Sequence, residues 1–389
     1  MTILFRFFLA DPGGDIELLP QDLEQPFRIS PAEVHPFLTL QGYFGALQKF
    51  IARDNDALLR AVQGKLHPPQ EGDNAQEFAE VHLRSEKHGA FYHIASATFL
   101  GPGKNVKFAL TTALSEPARN SLQEEYTILQ RLGDIMPGYL PELFDMDGVT
   151  WQTDAGTAEF IMVLAEWLNG YHEWHLSDVP GSPKQQIQLW DYEKGFRFLT
   201  DAEGHALLRQ VAYILTCCYD QASFCQIYPW HHGAGDFVVK VEPGSLSVKL
   251  ITARQYEPLV DFAGKEEAKR IVAAIHFLLN LVLRIRLDRL DGVGAAAWLD
   301  DFALPAALEG FFAGLAATGD ANRLKIGPVA DFLEIMQSFS VEEIYSMYES
   351  LLELYGDEDP DDLALIKDRL PGHAVQMHET LRDFTLVNL

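Results

Sequence analysis

Cysteine is scarce in this chain, with three in 389 residues, and Cys217, Cys218 and Cys225 crowd into one segment. That spacing excludes a disulfide framework and points to a reducing, cytoplasmic compartment, with the three thiols as small buried hydrophobes. Positive charge is short as well: 30 Lys and Arg against 56 Asp and Glu leave a formal net charge of −26. Such a chain repels phosphate backbones and anionic lipid surfaces, so nucleic acid and membrane are excluded as partners and any bound nucleotide needs a local basic island. Long apolar runs are missing too. The most apolar stretch, residues 271–283, falls short of the ~20 residues that span a bilayer and is flanked by charges, so it is expected as a buried helix. Near the start, residues 3–9 carry Arg6 inside a short apolar run and lead to Asp11-Pro12-Gly13-Gly14, the pattern of a strand and turn rather than a secretory segment. No Gly-x-Ser-x-Gly elbow, dinucleotide-binding glycine fingerprint, His-Glu-x-x-His or paired-cysteine metal spacing occurs.

What is present is enough apolar sequence, 48% of the chain, for one large core or two lobes. Residues 1–75 mix a strand, proline-punctuated loops and a helical stretch over 40–62, and form an N-terminal extension ending in a polar linker, 67–74. Period-two alternation over 78–83, 90–100 and 105–114, separated by Lys87-His88-Gly89 and Gly101-Pro102-Gly103, predicts an antiparallel meander. A helix is expected after Ser115-Glu116-Pro117, with Leu122, Tyr126, Leu129 and Leu132 at helical spacing, and then strands over 143–149 and 158–166. Beyond Asn169-Gly170 the composition turns helical, interrupted by a loop and strand pair over 229–252. Helices are expected over 268–290 and 329–355, and the acidic run 357–362 reads as a solvated loop before a helix N-terminus.

One stretch concentrates polar chemistry: Trp230-His231-His232-Gly233-Ala234-Gly235-Asp236, followed at once by the β-branched Phe237-Val238-Val239 and a second strand, Ser247-Val248-Lys249-Leu250-Ile251. Upstream, Phe160-Ile161-Met162-Val163-Leu164-Ala165-Glu166-Trp167-Leu168-Asn169-Gly170 is an apolar strand ending in a polar joint, and Glu125-Tyr126-Thr127-Ile128-Leu129 places a Glu four residues before a Leu.

Strands, helix, two strands, connector, helices, with a polar loop and hairpin in the second half: over about residues 78–290 this order resembles the protein-kinase-like superfamily, including its aminoglycoside and choline kinase branches. The resemblance implies an α+β, two-lobed kinase-like fold with an antiparallel β-sheet N-lobe and a mainly helical C-lobe. It divides the chain into an extension (1–75), an N-lobe (76–168), a C-lobe (169–327) and a C-terminal helical extension (328–389). It implies a hinge at Glu166, Trp167 and Leu168 whose backbone meets a purine edge, and a phosphate-binding pair of Lys107 with Glu125, although the family's Ala-x-Lys pattern itself puts Thr111 at the lysine position. In the catalytic loop it puts Asp236 on the metal-binding Asn and His231 on the catalytic Asp. A carboxylate serves Mg²⁺ as well as an amide oxygen does, and a neutral His231 or His232 can act as a base near pH 7. The second metal carboxylate is the loss that weighs most, because Thr252-Ala253-Arg254 stands in its place; Asp261-Phe262-Ala263-Gly264 and Glu257 lie past the strand end. Only Gly89 remains of a phosphate-cradling loop, so a tight hairpin is expected there.

The resemblance therefore implies a pseudokinase-type module that binds a nucleotide or a protein partner. The alternative is an active ATP- and Mg²⁺-dependent phosphotransferase with His231 or His232 replacing the catalytic Asp. A further alternative, a metal-dependent hydrolase, would need an ion held by one of these histidines with Asp236 and a distant ligand such as His172 or His175. For those two, rim or surface positions are the plainer expectation.

Overall fold

The computed structural model describes residues 3–11, 14–30, 33–53, 80–89, 91–101, 105–182, 184–191, 194–230, 235–259, 267–318, 327–355 and 359–386. The fold class is α+β, and the chain divides into two compact units: Met1–Gln130 with Pro141–Asn169, and Arg131–Leu140 with Gly170–Leu389.

The first unit is built on a seven-stranded sheet. Its strands are β1 (Leu4–Leu9), β2 (Ile16–Glu17), β5 (Glu80–His88), β6 (His93–Leu100), β7 (Asn105–Ala113), β8 (Leu143–Thr153) and β9 (Gly156–Glu166). Their order across the sheet is β2-β1-β5-β6-β7-β9-β8. A separate hairpin, β3 (Pro26–Arg28) with β4 (Val34–Thr39), leads into helix α1 (Leu40–Ile51). The meander and the two later strands form where period-two alternation predicts them. The sheet is mixed rather than antiparallel, because β1 pairs in parallel with β5, Leu4 opposite Glu80 through Leu9 opposite Ser85. Sequence alternation fixes which face a strand buries, not which strand it pairs with.

Both faces of this sheet are covered. The Thr39 hydroxyl caps α1 by accepting from the Gly42 amide. The helix then buries Tyr43, Phe44, Leu47 and Phe50 against Val81, Leu83, Phe99, Phe108, Leu110 and Leu164, each such side chain contributing ~1.5–3 kcal/mol of transfer free energy. Gly45 permits the approach of Trp151, whose ring would lie 2.3 Å from any Cβ there. The expected helical stretch 40–62 ends at Ile51 among the described residues; Arg53 turns to pair with Asp145 and Asp147. On the other face Ala113 and Val163 pack with Ala118 and Leu122 of helix α2 (Glu116–Ile135).

The second unit opens with strands where a helical composition was expected. These are β10 (Glu173–Asp178), β11 (Gln185–Trp190) and β12 (Arg197–Phe198), an antiparallel sheet of three. Its alternation, Trp174 and Leu176 against Ile187 and Leu189, is short and interleaved with His and Gln, which masks it in the sequence. Helix α3 (Asp201–Cys218) starts at a capping box formed by Thr200 and Glu203. Then come β13 (Cys225–Ile227), the hairpin β14 (Phe237–Glu242) and β15 (Ser245–Leu250), and β16 (Tyr256–Pro258), which pairs with β13. Helix α4 (Glu267–Arg284), the pair β17 (Leu287–Arg289) and β18 (Ala296–Trp298), and helix α5 (Ala303–Thr318) follow. Helices α3 and α5 approach closely at Gly310, where a Cβ would meet the Arg209 carbonyl at 2.2 Å.

The expected single helix over 329–355 is two, α6 (Val329–Ser338) and α7 (Val341–Leu352), because Ser340 and Glu343 form a second capping box. The last helix, α8 (Pro360–Asp383), begins in the acidic run, but Asp362 is buried and paired with Arg289 at 2.6 Å rather than solvated. These C-terminal helices share the core of the unit: Phe332, Met336, Tyr348 and Met377 are fully buried, and Phe312 stacks on Phe384 at 5.0 Å. Among the described residues no helix is long and apolar enough to cross a membrane.

Candidate functional site

The sequence-predicted residues fall in both units. In the first, Lys107 alternates along β7 to the side opposite the buried Phe108 and Leu110. Its ammonium lies 3.0 Å from Glu86 Oε1 and 3.5 Å from the centre of the Trp167 ring. Glu86 is half enclosed: Ser96 Oγ donates to its Oε1 at 2.6 Å and Arg84 pairs with its other oxygen. Arg84 in turn reaches Asp15 at 2.7 Å. Lys107 is therefore not a solvated surface lysine, and the contacts that define its position are a carboxylate on β5 and an indole beyond β9. Glu125, on α2, is buried at 4% exposure, so it is not an exposed helix glutamate either.

The joint after β9 uses its own polar groups. The Glu166 amide donates to the Glu142 carbonyl at 2.8 Å, and the Glu142 amide returns to the Glu166 carboxylate at 3.2 Å. The Trp167 carbonyl accepts from the Asn169 amide at 3.1 Å, and Leu168 is half-buried. The turn before β6 is closed by the Gly89 amide donating to the Tyr92 carbonyl at 2.8 Å, the tight hairpin that the single glycine predicts.

In the second unit, Asp236 stands at the entrance to β14 and is 1% exposed. Gly235 before it has φ +80°, a conformation that favours glycine. The Asp236 carbonyl accepts from the Ile251 amide at 2.8 Å, which ties the loop to the end of β15. Its carboxylate is held by Arg254, Nη1 to Oδ2 at 2.9 Å and Nη2 to Oδ1 at 2.8 Å. The first contact is a charge-assisted hydrogen bond and the second a close charge contact without hydrogen-bond geometry. Arg254 was legible in the sequence only as the residue standing where a second metal carboxylate was missing. As the partner of Asp236 it supplies the positive charge that balances that buried carboxylate. The Asp236 carboxylate is thus charge-paired by a side chain of this chain.

His231 and His232 lie outside the described residues, as does 261–264. Trp230, just before them, is buried edge-to-face on Phe237. His172 bridges Val239 through both backbone groups at 2.9 Å, and its ring lies 3.5 Å from Asp191. His175, expected at a rim, is 3% exposed and packed against Trp190 at 4.3 Å. Among the described residues no three His, Cys, Asp or Glu side chains come together as metal ligands. Cys217 and Cys218 are buried as the sequence suggests, and burial pushes Cys217 up to about 11 and Cys218 higher still, whereas Cys225 is half-buried.

The second unit also holds a cavity that the sequence did not signal. Its 480 Å³ are lined by Tyr139, Tyr171, Tyr213, Arg209 and the β15 residues Leu246, Ser247 and Val248, among others. The three tyrosines come from three separate segments, so no local spacing could have announced them. No protein-family model matches this chain, and no curated protein matches it.

Proposed function

We propose that this protein is a kinase-like binding module of the pseudokinase type, which engages a partner without metal-dependent phosphoryl transfer. The observation that carries the reading is the close Asp236–Arg254 ion pair. Phosphoryl transfer depends on metal ions that neutralise charge developing on the phosphate oxygens. Here the carboxylate at the candidate metal position is already neutralised by a side chain.

Part of the order of elements supports the kinase-like part of the proposal: a three-stranded meander, a helix and two strands, then, after the added strands β10 to β12, a helix, β13 and a loop entering a hairpin. Lys107 supports its non-catalytic part. Glu86 stands 3.0 Å from the ammonium, so a phosphate approaching that lysine would meet a carboxylate first. Nucleotide is accordingly a weak ligand in this reading, and a protein surface the stronger partner.

Thermal denaturation of the full chain with millimolar ATP, with and without Mg²⁺, tests the proposal. A ligand that binds the native state raises Tm once its concentration passes Kd. The expected result is a Tm that Mg²⁺ leaves unchanged at every ATP concentration. A Mg²⁺-dependent rise, abolished by Asp236→Asn, would restore the phosphotransferase reading.

A further inference from the structure

The cavity on the second unit is independent of the kinase-like reading, since all of its lining residues belong to that unit and none is a residue of the candidate catalytic loop. Its volume, 480 Å³, falls within the ~300–1,000 Å³ of ordinary small-molecule sites. The composition of its walls restricts what fits.

One wall is aromatic. Tyr139 and Tyr213 stand with ring centres 5.6 Å apart at 49°, and Tyr171 adds a third ring, with the Lys249 ammonium 5.9 Å from its centre. Such faces favour a flat, polarisable ligand over a branched or heavily hydrated one. Burial pushes the Tyr213 hydroxyl up to about 12, so that hydroxyl stays uncharged at neutral pH.

The floor is rigid. Gln210 reaches the edge of β15, its Nε2 donating to the Leu246 carbonyl at 2.6 Å and its Oε1 accepting from the Val248 amide at 3.0 Å. A side-chain amide thus completes the strand edge, and the backbone below the cavity needs no ligand to order it. Sites formed in advance lose less entropy on binding.

Among the described residues the lining contains a single charged side chain, Arg209. Its nearest carboxylate, Glu309, is 3.6 Å away with both side chains more than one-third exposed, and Glu309 also faces His205 at 3.4 Å. An exposed pair of that length is weak, and a guanidinium has five N–H donors. The cation can therefore turn to a carboxylate entering the cavity. On a chain with net charge −26, Arg209 and the nearby Lys249 beside these phenol rings are a local exception to the prevailing sign.

We propose that this cavity binds a small planar aromatic carboxylate, with its ring against the tyrosines and its carboxylate on Arg209. Calorimetric titration of the full chain with 1-naphthoate, and with the neutral 1-naphthamide of similar shape, tests both halves of the assignment. Saturable 1:1 binding of naphthoate is expected, with naphthamide about tenfold weaker because it loses the charge-assisted bond. Arg209→Gln, at an exposed position, should weaken naphthoate about tenfold and leave naphthamide unchanged. Ala313→Phe, which fills the cavity from α5, should abolish binding of both. No saturable binding of naphthoate at several millimolar overturns the site. Equal affinity for acid and amide, or indifference to Arg209→Gln, overturns the anion assignment, and binding that survives Ala313→Phe in a folded protein places the ligand elsewhere.

Discussion

Arg254 grips both carboxylate oxygens of Asp236, at 2.9 and 2.8 Å, while that carboxylate is 2% exposed. A buried charge whose partner is removed destabilises strongly, whereas removal of both charges costs less. Arg254→Met should lower stability by about 2 kcal/mol, and Asp236→Asn combined with Arg254→Met should recover part of the loss. Arg254→Lys should keep part of the parent's stability, since an ammonium can still supply a single charge-assisted bond. Urea midpoints of the four proteins at neutral pH decide this. Equal stability of Arg254→Met and the parent would show that the ion pair contributes nothing.

Lys107 supports a second prediction through Glu86 and Trp167. A double-mutant cycle over Lys107→Met and Trp167→Leu should give a coupling of ~0.5–1 kcal/mol. A coupling near zero, read from denaturation midpoints, would mean that the ammonium rests on the ring without stabilising the unit.

Acid sensitivity follows from His373. It is fully buried, with Tyr348 Oη at 2.8 Å from its Nε2, and burial together with the nearby Arg286 lowers its pKa from 6.5 to about 3. Because the folded value lies below the unfolded one, the neutral ring contributes its full stability above pH 6.5. That contribution is lost as pH falls from 6.5 through about 3, where the unfolded chain binds the extra proton. The slope should be at most about 1.4 kcal/mol per pH unit from this group. Glu203, lowered to about 2 by Arg197 and Thr200, adds a stabilising contribution of its own, present above its ordinary 4.5 and lost as pH falls towards about 2. Stability of His373→Gln measured between pH 7 and 4 should fall less steeply than the parent's; parallel curves would remove the histidine from the account.

The crossing of α3 and α5 supplies a packing test. Gly310→Ala puts a methyl group 2.2 Å from the Arg209 carbonyl, a backbone atom that cannot swing aside. The expected loss is ~1–3 kcal/mol from forced separation of the helices. Gly133→Ala, on α2 with open space around its Cβ, is the matched control and should stabilise slightly.

Much of the first unit was legible in the sequence because its signal is local. The meander over β5, β6 and β7 alternates cleanly, and the Ser115-Glu116-Pro117 start of α2 is a chain-local cue. Pairings over long separations were not legible, such as β1 with β5 across about seventy residues. Strands β10 to β12 were hidden because buried polar residues, His175 among them, break the apolar alternation. Capping at Ser340 divided a stripe whose hydrophobic period alone suggested one helix. At the candidate site, residue identities were visible but partnerships were not: Asp236 and Arg254 stand eighteen positions apart with a hairpin between them. Glu86 carries no local signal in the sequence, although it organises Arg84, Ser96 and Lys107.

The central claim, that Arg254 takes the place of a metal at Asp236, is met most directly by electron paramagnetic resonance of Mn²⁺ with ATP in the presence of the full chain. The account predicts that parent and Asp236→Asn proteins leave the Mn²⁺–ATP spectrum equally unchanged. A protein-bound Mn²⁺ signal in the parent that disappears in Asp236→Asn would contradict it.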